Sequence, residues 1–163
     1  MTPARDQDDA LLDYLQRLPS EQFYRGRPGS PEALADAENE FQFTFPADYR
    51  ALMESSDGAS IAGNGSHLRL HSLDVATNEN PDEIMEKDLP GMFGIGSDGG
   101  GSLYYYDPHN RLGHGPWALF LVPMSDFTEE ESIFVGKTLT DVINQVVAGE
   151  DFHRRPTLGK RDQ

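Results

Sequence analysis

The stretch at residues 93–107, Phe-Gly-Ile-Gly-Ser-Asp-Gly-Gly-Gly-Ser-Leu-Tyr-Tyr-Tyr-Asp, limits the fold more than any other part of the chain. Gly96, Gly99, Gly100 and Gly101 permit positive φ and close backbone approach, and Asp98 can accept hydrogen bonds from the amides of such a turn. A short apolar approach therefore runs into a tight bend. Beyond it, Leu103 and Tyr105 alternate with Tyr104 and Tyr106, the period of a β-strand, in residue types that favour one. Asp107-Pro108-His109-Asn110 closes the strand with turn chemistry. Gly94, Gly96 and Gly99 also satisfy the GxGxxG spacing, which binds dinucleotide phosphates only where a helix opens after the glycines. Here a strand follows, so no nucleotide cofactor is expected.

The other segments read as supports for this bend. Residues 6–18 have Leu11, Tyr14 or Leu15, and Leu18 at helical spacing, with Asp8 or Asp9 as cap and Pro19 as stop. Residues 20–29, with two arginines, a proline and two glycines, read as a linker. Ser30-Pro31 starts a second helix to about Phe41, with Leu34, Ala37 and Glu38 along it. A third short helix around Tyr49, Leu52 and Met53 ends at Ser56-Asp57-Gly58. Residues 58–66 read as a Gly-rich loop, and 67–71 as a strand with Leu68 and Leu70 inward. His67 and His71 on that strand sit about 13 Å apart, too far to ligate one metal. The acidic stretch 74–90 reads as an extended loop with one helical turn. Trp117 to Val122 is an uninterrupted apolar run between prolines, the pattern of a central strand buried on both faces. Ile133-Phe134-Val135 is another strand. Thr138 and Asp141 cap a closing helix that buries Val142, Ile143, Val146 and Val147 and stops at Gly149. Gly136-Lys137-Thr138 lacks the earlier glycine of a phosphate loop, since Glu131 stands there.

These elements imply one α+β domain of helices packed on a mostly antiparallel twisted sheet at residues 30–152. An N-terminal helix and linker (1–29) precede it and a basic, flexible tail (153–163) follows. At 163 residues the chain is long enough to bury a core without staples. It has no cysteine, which removes disulfides, thiolate nucleophiles and cysteine-type metal centres. No stretch has the length of a membrane span and the first residues carry no apolar leader core, so a cytoplasmic location is expected. The net charge of −15 repels nucleic acid and anionic membrane and favours basic partners.

Taken in order, Ala37-Glu38, then Phe45-Pro46-Ala47-Asp48-Tyr49, Asp57-Gly58, the Ile95 to Gly101 turn with its aromatic strand, the 116–122 strand and the helix opened by Thr138 resemble the Smi/Knr-type SUKH superfamily. That family includes a fungal cell-wall synthesis regulator and many bacterial immunity proteins. The resemblance spans roughly residues 30–152, with Asp57 where the family usually has Asn. It implies helices on a largely antiparallel sheet and a non-catalytic binding role, in bacteria often the neutralisation of a cognate toxin, frequently a nuclease.

The expected partner is thus a protein, most simply a basic toxin domain, with a housekeeping protein bound by a regulatory scaffold as the alternative. Candidate contacts are Asp82, Glu83 and Glu86, the run Glu129, Glu130 and Glu131, and Tyr104 and Tyr106 on the sheet side, since aromatics anchor interfaces and carboxylates steer association. Gly96, Asp98, Gly99, Gly100 and Gly101 are assigned to the turn itself, and Gly100→Val should cost stability if φ is positive there. No catalytic or metal site is expected. The nearest approach to one is His109 or His114 with Asp98 or Asp107, close only in sequence.

Overall fold

The structure, a computed structural model, describes residues 3–79 and 87–160. Seven strands form one open sheet in chain order, each antiparallel to the next: β1 (Phe23–Arg25), β2 (Ala59–Ala62), β3 (His67–Leu70), β4 (Phe93–Ser97), β5 (Ser102–Asp107), β6 (Ala118–Pro123) and β7 (Ile133–Gly136). The helices are α1 (Pro3–Gln16), α2 (Pro31–Phe41), α3 (Ala47–Ser55), α4 (Leu73–Glu79) and α5 (Leu139–Val147). Single helical turns follow at Phe152–Arg154 and Leu158–Lys160. This is the α+β architecture that the sequence implies.

Local chemistry sets the helix ends. Ser30 Oγ accepts the Ala33 amide at 3.1 Å, and Thr138 Oγ1 accepts the Asp141 amide at 3.0 Å. Gly149, at φ +81°, stops the chain after α5. The first helix differs from its expected span: it starts at Pro3, a residue suited to a first helical turn, so Asp8 and Asp9 fall inside it rather than at its cap.

Two expected loops are strands. Phe23 to Arg25, read as linker, pairs with β2, and residues 59–62, read as loop, form a hairpin with β3 across Asn64-Gly65. Both segments are short and gain strand structure from their pairing rather than from a strong pattern of their own.

The sheet buries both faces at its centre. On the helix side, Tyr49, Leu52, Ile61, Leu68, Phe93, Tyr104, Tyr106, Leu121, Val142 and Ile143 belong to the main core. On the reverse side Leu103, Tyr105, Phe120 and Val122 join Leu89 and Met92, with Leu112, Phe127 and Leu158 packed over them. Loops and the C-terminal segment therefore cover the reverse face of β5 and β6. The segment after α5 is docked, where a flexible tail was expected. Phe152 is in the main core, the Leu158 amide donates to Ser132 O at 2.8 Å and that of Gly159 to Glu130 O at 3.0 Å.

Candidate functional site

Three of the family-like segments, at Glu38, at Phe45 to Tyr49 and at the start of α5, meet at one junction. Asp48 Oδ1 accepts the Tyr49 amide at 2.8 Å, while Oδ2 accepts both the amide and the hydroxyl of Thr140 at 2.9 Å. One carboxylate thus joins the first turn of α3 to the first turn of α5, near the positive end of each helix. Glu38 holds the other side: it accepts the Phe45 amide at 2.7 Å and pairs with Arg50.

Beside this junction lies an open groove of about 760 Å³. Leu11 and Tyr14 of α1 form one wall, Trp117 another, Tyr106 and Asp48 the floor, and Lys137, Asp141 and Asn144 the rim. Trp117 sits at φ +63°, a region bulky residues seldom occupy, at a cost of about 1–3 kcal/mol. Its amide donates to Asp107 O at 2.8 Å, and its ring packs edge-on to Phe43 at 4.9 Å and Tyr106 at 5.1 Å. Asp107 in turn is fully buried and accepts the amides of Arg111 and Leu112, fixing the loop that presents Trp117. The buried hydroxyls of Tyr49 and Tyr106 have no hydrogen-bond partner among the described residues, and burial raises both above the ordinary tyrosine range.

The glycine turn behaves largely as read. Asp98 Oδ1 accepts the amides of Gly100 at 2.8 Å and Ser102 at 3.0 Å. Positive φ occurs at Gly99 (+77°) and Gly101 (+100°) but not at Gly100, so the condition set for a costly Gly100→Val is not met. Gly96 is needed for another reason: a Cβ there would lie 2.2 Å from Arg69 O on the neighbouring strand.

The candidate contacts separate. Tyr104 and Tyr106 are 1% and 0% exposed, so the exposed sheet-side pair expected at these positions is absent. Alternation distinguishes the two faces of β5, but helices cover one and loops the other. Glu130 is exposed, with Glu129 and Glu131 half-buried beside it on the β6–β7 loop, where Glu129 pairs with Arg111 at 3.4 Å. Asp82, Glu83 and Glu86 lie outside the described residues. The histidine–carboxylate pairings considered from the sequence take other forms. His114 stacks on Phe134 at 4.6 Å, while both Asp107 oxygens accept backbone amides. Asp98 meets His153 instead, at 3.1 Å. Among the described residues no group of three or more His, Asp or Glu could hold a metal ion.

Sequence reasoning missed two features. One is the groove, whose walls come from residues 10–144 and share no local pattern. The other is the uncovered part of the reverse face, where cross-strand neighbours Tyr24, Ser60, Arg69 and Ser97 form a row. Tyr24 is 74% exposed there; the Phe23-Tyr24 pair was its only sequence signal.

The architecture and the Asp48 junction define a SUKH-type α+β domain. The model of the SMI1 / KNR4 family (SUKH-1) matches residues 28–145, and the chain belongs to that family. Comparison with curated proteins gives no match. Helix α1 and strand β1 precede the matched residues, so the α1 wall of the groove lies outside the match. No helix among the described residues is long and apolar enough to cross a membrane.

Proposed function

We propose that this chain is a non-catalytic, cytoplasmic protein-binding module that neutralises a cognate bacterial toxin by covering it. The observation that carries this reading is the charge of −15 on a domain of the SMI1 / KNR4 family. A field of that sign steers a basic toxin domain into contact and holds off nucleic acid. The carboxylates of Glu129, Glu130 and Glu131 serve as steering charge, to which Asp82, Glu83 and Glu86 add theirs. With Tyr104 and Tyr106 buried, the anchoring aromatics are Tyr14, Trp117 and Tyr24, which reach the surface.

Co-purification of the full chain from its native cell, at low and high salt, tests this. Recovery of a basic toxin domain whose association slows with salt supports the reading. Recovery of a housekeeping enzyme or signalling protein instead moves the function to a regulatory scaffold, the other role the family implies.

A further inference from the structure

The α1 wall gives the groove a chemistry that can be read from its lining. Tyr14, 37% exposed, and half-buried Trp117 are the aromatic residues of the lining that are not fully buried. Asp141 is exposed at the rim and its carboxylate has no partner among the described residues, whereas Asp48 is committed to Thr140 and Tyr49. At the floor, the fully buried Tyr106 carries an unpartnered hydroxyl. That hydroxyl oxygen is itself fully buried, so it offers no acceptor to a ligand in the groove. Among the described residues Lys137 is the one cation of the lining, and it stands exposed.

We infer that this groove receives an arginine side chain from a loop of the protein partner. The guanidinium would stack against Tyr14 and Trp117 and face the Asp141 carboxylate. A planar cation suits this combination because it can stack and donate hydrogen bonds at the same time. A carboxylate would meet Asp141 and Asp48, and a purely aliphatic side chain would bring neither charge nor donor to the Asp141 carboxylate. The overall charge of −15 acts in the same direction. Tyr14 lies on α1, outside the residues that the family model matches. The inference rests on the protein-binding reading above.

The single tryptophan supplies a reporter, since every indole N–H signal belongs to Trp117. The full chain is titrated by NMR with three blocked peptides: acetyl-Leu-Arg-Leu-amide, its Glu counterpart and its all-Leu counterpart. The arginine peptide should move the Trp117 signal saturably. Asp141→Asn and Tyr14→Ala, both at exposed side chains, should each weaken that binding about fivefold. The assignment is overturned if the Glu or Leu peptide binds as well, if nothing saturates, or if both variants bind the arginine peptide as the parent does. The two readings fail separately. A complex recovered from cells whose affinity ignores Tyr14→Ala and Asp141→Asn removes the groove assignment and leaves protein binding standing. Arginine-specific binding of the peptide with a non-toxin partner retains the groove and removes the toxin.

Discussion

His153 Nε2 lies 3.1 Å from Asp98 Oδ2, so a side chain 55 residues further on completes the hydrogen bonding of the glycine turn. The turn and the docked C-terminal segment are therefore one unit. Phe152 beside His153 is buried in the main core, edge-on to Tyr104 at 6.3 Å.

This unit makes acid stability depend on Asp98. Partial burial pushes its carboxyl up, but the Gly100 and Ser102 amides together with His153 outweigh that and hold it below the usual carboxylate range. A depressed carboxyl adds stability that is fully present above its unfolded value, about 3.9, and is lost as pH falls through the lower folded value. Asp98→Ala should lower stability at pH 7 by about 1–2 kcal/mol. Thermal melts should show the gap to the parent narrowing below about pH 4; a gap constant down to low pH contradicts this assignment.

The glycines of the turn should respond unequally. Gly96→Ala places a methyl against the Arg69 carbonyl and should cost about 2–4 kcal/mol. Gly100→Ala meets nothing nearer than the Asp98 side chain at 3.6 Å and should change stability by less than about 0.5 kcal/mol. Chemical denaturation of the two variants compares them directly.

Adjacent tyrosines on β5 should also differ. Tyr105 donates to Ser132 Oγ at 2.7 Å, and Ser132 Oγ donates to Thr128 O at 2.9 Å, so Tyr105→Phe breaks a buried chain and should cost about 1–2 kcal/mol. Tyr106→Phe removes a hydroxyl with no partner and should be neutral or stabilising by up to about 1 kcal/mol. Equal losses in denaturant melts would show that the Tyr106 hydroxyl is bonded after all.

Removing residues 153–163 should destabilise the domain rather than trim a loose end. Arg155 donates to Phe134 O at 3.3 Å, bonds Gln145 of α5, and stands 4.8 Å over the Phe152 ring. Leu158 closes the second cluster. A fall in melting temperature of several degrees is expected, as for a loss of about 1–2 kcal/mol in a domain of this size. An unchanged melt contradicts the docked arrangement.

The sequence showed most clearly those elements whose causes are local. Ser30-Pro31, Thr138 and Gly149 fix helix ends by chemistry within one turn, and the apolar run of β6 announces a strand buried on both sides. Strand β1 was hidden because three residues with one half-buried side chain carry no period, and its pairing with β2 is a tertiary fact. The burial of Tyr104 and Tyr106 was hidden because alternation does not reveal what covers each face. The same applies to the groove: Tyr14, Asp48, Trp117 and Asp141 converge only after α1, α3, the 108–116 loop and α5 have packed.

The most direct test of the central claim is growth rescue. The partner recovered by co-purification is expressed alone in a bacterial host, and then together with this chain. Neutralisation predicts growth arrest by the partner and its relief by the chain, with relief weakened when Glu129, Glu130 and Glu131 are changed to Gln. A partner that is harmless alone, or an arrest that the chain leaves unrelieved, contradicts the account.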